Sequence, residues 1–302
     1  MLLPQILMAL FAGLLGLCFG SFLNVCLYRW PRGEGVAFPA SHCPECGHGL
    51  AWWQNLPLVS YLVLRARCHY CHGRISLRYP AVEALVGVLW GAAGWRAGQG
   101  ILDPMAGAQI SLYAAFLLAT GLVFLWLLVA LGALDLAELW LPDFLTLPGI
   151  VAGLAVFALQ RWLLQALAKE ALAGAGNGST AALWQAIGAR LLAVLIAGGS
   201  LWLIRWVYQR TRHREGLGLG DVKLIAMLAA WLGASRTALC FALALAIGLV
   251  CALCGMVLGK RERVAGPPLQ LPLGSFLAMG GVVAYFWGRP LIAIYLRLSG
   301  WN

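Results

Sequence analysis

The sequence predicts an all-α polytopic membrane protein of about eight transmembrane helices with a small cytosolic zinc-knuckle domain. Three observations carry that prediction. Hydrophobic residues make up 62% of the 302 positions and charged residues only 11%, far from the balance of a soluble globular chain. Apolar runs able to cross a hydrocarbon core of about 30 Å recur along most of the length. The main interruption is one polar block near Pro31 to Leu77 that carries four cysteines in two CxxC pairs.

The expected spans cover residues 4–28, 79–97, 108–133, 142–164, 184–207, 221–234, 237–259 and 271–296, the sixth being short for a crossing. The organisation is therefore a first transmembrane helix at 1–28, a cytosolic zinc-binding domain at 29–78, a second helix with an outer loop at 79–107, and a six-helix block at 108–302. No positive charge precedes the first apolar run, so it reads as a retained span and not as a cleaved signal. It ends in Gly20-Ser21-Phe22-Leu23-Asn24-Val25. Gly16, Gly20 and Ser21 suit close helix packing. Asn24 carries an amide that needs a partner, either on another helix or in an active cavity.

Three clusters, around Arg29 to Arg78, Arg205 to Lys223 and Lys260 to Arg263, hold 14 of the 21 basic residues, and eight spans put all three on one side. Positive loops stay cytoplasmic, which turns both termini outward. This asymmetry, with attraction to anionic membrane lipids, accounts for the net charge of +10. Nucleic-acid binding is not needed to explain it, and none is expected.

In the polar block, Cys43-Pro44-Glu45-Cys46 and Cys68-His69-Tyr70-Cys71 are separated by 21 residues. Paired knuckles of this kind hold one tetrahedral zinc through four thiolates, and a reducing cytosol favours metal over disulfides. Gly47 and Gly73 are expected to serve the tight turns. His42, His48, His69 and His72 crowd the site without being needed as ligands. Trp52, Trp53, Leu56 and Leu58 are expected to rest the block on the bilayer surface. Cys251 and Cys254, and likewise Cys18, Cys26 and Cys240, read as small packing residues.

Acids beside lipid are costly and point to function. Asp221, in Gly218-Leu219-Gly220-Asp221, has a structural alternative as an N-cap, and Asp143 after Pro142 fits helix-dipole complementarity. Asp135 has no such alternative, because it falls at the C-terminal end of its span, where the dipole opposes a carboxylate. Two such acids at one membrane face allow a proton-sharing dyad. Lys223 reads as a helix-end cation. Glu83 has two readings, a pair with Arg78 or Arg74, or a place in a cofactor site.

Together these residues resemble the type IV prepilin peptidases of the GxGD aspartyl class. The resemblance runs from about Gly20 to Leu277 and rests on Gly20 to Val25, both CxxC pairs, Leu56-Pro57-Leu58-Val59-Ser60-Tyr61, Arg78-Tyr79-Pro80-Ala81-Val82-Glu83, Asp135 with Leu141-Pro142-Asp143, and Glu215 to Lys223. Departures are modest: Leu217 stands where many members have Met, and Pro272-Leu273-Gly274-Ser275 where relatives often have Pro-Phe-Gly-Pro. The resemblance implies that Asp135 and Asp221 are catalytic, with Gly218, Gly220, Asp143 and Lys223 in support, and that residues 108–302 form a membrane aspartyl peptidase domain. It implies a bacterial inner-membrane enzyme that cuts the basic leader from prepilins and pseudopilins of type IV pili and type II secretion, after Gly, on the cytoplasmic side. It further implies N-methylation of the new N-terminus with S-adenosylmethionine, Asn24 and Glu83 being the candidate residues for the donor. The alternatives are a dedicated peptidase without methyltransferase activity, a presenilin-like GxGD protease, and a non-enzymatic zinc-anchored scaffold or transporter. Leu134 before Asp135, where presenilin-like members usually have Tyr, argues against the second. Two acids at one membrane face argue against the last.

Overall fold

The computed structural model describes residues 2–102, 107–171, 180–212, 217–257 and 272–300. Among these, the chain is helical apart from the polar block, where two isolated bridges, His42 with Gly49 and Arg67 with Arg74, are the only β-type pairings. The long helices are α1 (Leu3–Arg29), α3 (Arg78–Leu102), α4 (Gly107–Glu138), α5 (Asp143–Ala171), α6 (Thr180–Arg212), α7 (Leu219–Leu232), α8 (Ala234–Val257) and α9 (Leu273–Leu298), with a short α2 (Val59–Val63) inside the block. Each of the eight expected spans falls on one of the long helices. Six of the eight long helices, all but α3 and α7, are long and apolar enough to cross a membrane, which makes this a multi-pass membrane protein. At 14 residues α7 is about 21 Å long, too short to cross alone.

The chain falls into two compact units, Met1–Ala130 and Leu131–Asn302, with the division inside α4. In the first, α1 packs along α3 through a seam of glycines. A Cβ on Gly16 would lie 2.9 Å from the Trp90 Cβ, one on Gly20 would lie 2.7 Å from the Glu83 Cα, and one on Gly94 would strike the Met8 carbonyl. Without side chains there, the two backbones meet, as small residues permit at helix interfaces in lipid. The Gly20 contact sets Glu83 of α3 opposite Ser21 and Asn24 of α1.

α1 ends at the buried Arg29, whose guanidinium donates to the carbonyls of Gly35 (3.1 Å), Val36 (3.2 Å), Pro39 (2.5 Å) and Ala40 (3.4 Å). The residue counted above only as a topology charge thus folds the chain leading to the first knuckle.

In the second unit, α7 is apolar on all sides from Leu224 onward and buried accordingly, Leu224 to Ala230 being inaccessible or nearly so. It packs between α5 and α6, while α8 pairs with α9. Gly149 and Gly153 make room on α5 for Met227 and Trp231, and the Trp231 indole donates to the Gly149 carbonyl at 2.9 Å. The effect is to bury the helix that begins with Gly-Asp. Cys251 and Cys254 lie exposed on α8, where lipid would cover them, and Cys240 is buried and donates to the Leu277 carbonyl at 3.2 Å.

Candidate active site and metal centre

α4 continues one turn past the expected end of its span, so Asp135 sits within the helix and is only 5% exposed. Its Oδ2 accepts the backbone N–H of Ser275 at 2.6 Å. The Ser275 hydroxyl stands 3.1 Å from the same oxygen and donates to the Gly132 carbonyl at 2.8 Å. A Cβ on Gly274 would come within 2.9 Å of the Asp135 carboxyl carbon, so the first turn of α9 closes directly on this acid.

Asp221 is the third residue of α7, and the N-cap is Gly218, with no side-chain cap bond. The N-cap reading of Asp221 is thereby corrected. The carboxylate turns back instead and accepts the backbone N–H of Gly218, the N3-to-N-cap half of a capping box. Of the two glycines of the motif, Gly220 is the more tightly constrained. A Cβ on Gly218 would stand 3.2 Å from the Asp221 Oδ2, and one on Gly220 would strike Leu141 at 2.7 Å. A Leu141 methyl also lies 2.9 Å from the Cβ position of Gly274, so one side chain touches the start of α7 and the start of α9. The two carboxyls, 86 positions apart in sequence, come within electrostatic reach of each other.

Asp143 and Lys223 meet elsewhere in the same unit. The Lys223 ammonium donates to the Asp143 Oδ1 at 2.5 Å, with the side chains 28% and 61% exposed. They bond each other, and neither has a hydrogen bond to Asp135 or Asp221 among the described residues. Glu215 of the same sequence motif lies outside the described residues.

In the first unit the Sγ atoms of Cys43, Cys46, Cys68 and Cys71 all lie within 4.8 Å of one another, with Cys43 to Cys71 at 3.9 Å and Cys46 to Cys68 at 4.0 Å. Four thiolates around zinc at about 2.3 Å would stand about 3.8 Å apart, so the cluster fits one tetrahedral ion and is too open for disulfides. The knuckles are built alike: Cys43 N–H donates to the His48 carbonyl and Gly47 N–H back to Cys43, while Cys68 N–H donates to Gly73 and His72 N–H back to Cys68. Positive φ falls on Gly47 (72°) in the first and on His72 (58°) in the second. Gly73 is therefore not the turn glycine that the sequence suggests. Its lack of a side chain leaves room for the Glu45 carboxylate, which a Cβ would meet. The N–H groups of Cys71 and Tyr70 pull the Cys68 thiol down to about 7, so it is readily a thiolate near neutral pH. The histidines stay outside the thiol cluster. His48 stacks on Tyr70, and His69 lies edge-on to Trp53 and Tyr70.

Between the knuckles and the α1–α3 pair lies a cavity of about 370 Å³, within the range of small-molecule sites. Its wall includes both candidate residues, Asn24 and Glu83, beside Ser21, Tyr28 and Tyr79. The Asn24 amide has the inter-helix partner that the sequence demanded, donating to the Tyr79 carbonyl at 2.9 Å. Glu83 is 8% exposed and makes no ion pair with Arg74 or Arg78. Its Oε2 accepts the Leu58 backbone N–H at 2.8 Å instead. Trp52 is 77% exposed and free to meet a bilayer surface, whereas Trp53 packs on His69.

Sequence reasoning missed Ser275, Leu58 and Arg29. The Gly-Ser of the late loop was a visible signal for the first, and nothing in composition marked the other two.

Two family models match the chain: the bacterial peptidase A24 N-terminal domain over residues 14–97 and the type IV leader peptidase family over residues 122–253. Among curated relatives, the prepilin leader peptidase/N-methyltransferase of Pseudomonas putida is 33% identical over 311 residues, covering 96% of this chain and 94% of the relative. The protein of that name from Burkholderia pseudomallei strain 1026b is 36% identical over 328 residues, covering 99% and 90%. That from Neisseria gonorrhoeae is 34% identical over 284 residues, covering 86% of each. No solved structure matches. The matched models cover the cysteine knuckles and both aspartates, and the likeness to relatives runs nearly end to end, so the chain belongs to the type IV leader peptidase family as a peptidase and methyltransferase.

Proposed function

We propose that this chain is an intramembrane aspartyl endopeptidase of the bacterial inner membrane. In this reading it removes the basic leader of type IV prepilins and type II secretion pseudopilins after Gly, on the cytoplasmic side, and then N-methylates the new N-terminal residue using S-adenosylmethionine. The observation that carries the peptidase half is that Asp135, near the end of α4 and held by the first turn of α9, lies within electrostatic reach of Asp221 in the first turn of α7.

Two carboxyls within reach of each other do not both ionise; they share one proton. One carboxylate takes a proton from water as the other, protonated, polarises the scissile carbonyl. The pair titrates as a unit, so neither role belongs permanently to one aspartate. Ser275 holds Asp135 by its N–H, and the bare Gly220 lets Leu141 pack against the start of α7 beside Asp221. Asp143 and Lys223 fix α5 against α7 as a supporting pair.

The knuckle cysteines, Cys43, Cys46, Cys68 and Cys71, hold one structural zinc in this reading, and the methyl donor occupies the cavity beside them, against Asn24 and Glu83. Residues 29–78 then form a cytosolic zinc-binding domain and 108–302 the peptidase domain. The test is to incubate the purified enzyme with a prepilin and isotopically labelled donor and to weigh the product N-terminus. Cleavage after Gly with one added methyl group is expected. Cleavage without methylation at saturating donor leaves a dedicated peptidase, and no cleavage rejects the substrate class.

A further inference from the structure

Leu58 is held in a conformation that leucine rarely adopts, with φ 58° and ψ −43°. The Val59 N–H donates to the Pro57 carbonyl at 2.6 Å, which makes residues 57–59 a γ-turn of the positive-φ form, the strained one of the two. Strain of this kind persists only where surrounding structure enforces it, and it gathers at functional sites. Here it aims the Leu58 N–H at the Glu83 Oε2, 2.8 Å away. Two further donors face the same carboxylate, the Ser21 hydroxyl and the Asn24 amide from α1, while the amide also holds the Tyr79 carbonyl. A buried acid thus stands at the cavity wall with neutral hydrogen-bond partners and no cation paired to it among the described residues. The cations in the same wall are Arg29, saturated by four carbonyls, and Arg74; its other titratable groups are Glu45, His42, His69, Tyr28, Tyr61, Tyr79 and the thiols of Cys43 and Cys68.

A carboxylate oriented by three neutral donors and open to a cavity is built to receive a cation that arrives with the ligand. We infer that Glu83 binds the ammonium at the freshly cut pilin N-terminus and accepts its proton, making it the catalytic base of methyl transfer; this rests on the methyltransferase reading above and assigns the acceptor half of that site. The proton moves from the ammonium to the Glu83 carboxylate. The freed nitrogen lone pair then forms a bond to the donor's methyl carbon as the bond from that carbon to sulfur breaks. The sulfonium leaves as a neutral thioether, the product is a methylated ammonium, and Glu83 returns its proton to solvent. The Leu58 turn positions the acid and does not touch the reacting atoms.

The test supplies a short peptide with the mature pilin N-terminus, so that cleavage is not required, together with S-adenosylmethionine. Methylation is followed from pH 6 to pH 9 in wild type, Glu83→Gln and Glu83→Asp. Zinc content and a cooperative thermal transition report on folding. At pH 7 Glu83→Gln should methylate about 100-fold more slowly, the scale of general-base catalysis. Its rate should climb about tenfold per pH unit below about 7.7, where the α-amine must lose its proton to water unaided, while wild type stays flatter. Glu83→Asp, which keeps a carboxylate, should fall between them with a wild-type pH profile. A Glu83→Gln enzyme that methylates at the wild-type rate, or that loses the same fraction at every pH, overturns the assignment. Should Glu83→Gln lose its zinc or its thermal transition, Glu83→Asp decides alone: folded protein with no methylation at any pH refutes the proposal, and wild-type pH dependence upholds it. Wild type that never methylates the peptide refutes the methyltransferase reading instead, a separate outcome.

Discussion

The two compact units hold their acids in opposite ways. In residues 1–130, Glu83 is fixed by loop and helix groups gathered beside four clustered thiols, an arrangement of polar contacts with a block of about 45 residues that is too small to bury a large core. In residues 131–302, Asp135 and Asp221 are placed by apolar helix packing, and glycines at 218, 220 and 274 set how closely the chain closes around them. One site depends on coordination and hydrogen bonds, the other on shape. The two should therefore fail separately, under different insults.

The largest separation is expected from the aspartates. Asp135→Asn or Asp221→Asn should each lower prepilin cleavage by about a thousandfold or more, because either change removes the shared proton. Product counting by mass spectrometry reads this directly. Near-normal turnover in Asp135→Asn alongside a dead Asp143→Asn would move the dyad to other residues.

Metal removal probes the other unit. We expect about one zinc per chain by elemental analysis, and its loss with Cys46→Ser. Methyl transfer should then drop by about a hundredfold, while cleavage changes much less. Release to a chelator should be faster at pH 6 than at pH 8, since departing thiolates take up protons that are scarce at the higher pH. Equal loss of both activities on zinc removal would show that the units are not independent.

Smaller effects test the supports. Ser275→Ala keeps the backbone donor to Asp135 and loses only the hydroxyl, a change of about 1 kcal/mol, or about fivefold in cleavage. Lys223→Met and Asp143→Asn break an exposed pair whose worth is below about 1 kcal/mol, so cleavage should fall by less than about fivefold.

What could be read from the sequence follows the same division. Cysteines three apart, apolar runs and acids beside lipid are local patterns, and the fold gathers the residues they point to: the four thiols converge, the eight long helices fall on the expected runs, and the two aspartates come within electrostatic reach. Partners across long stretches of chain were not legible. Ser275 is 140 positions from Asp135, and the donor to Glu83 is a backbone N–H, a group nearly every residue carries. The choice of Leu58 for a positive φ, and of His72 over Gly73, runs against intrinsic preference and is imposed by tertiary contacts. The positive-inside count placed Arg29 by charge alone and could not reveal its four carbonyl partners.

Separate sites for cutting and methylating are tested most directly with the catalytically inert peptidase. Asp135→Asn is given an already processed pilin peptide and labelled S-adenosylmethionine, and label on the N-terminal amine is measured against wild type under the same conditions. We predict methylation within about twofold of wild type, since methyl transfer needs Glu83 and its cavity but not the aspartate pair. Methylation that disappears together with cleavage, in protein that retains its zinc and its thermal transition, would contradict two independent centres and place both reactions at the aspartates.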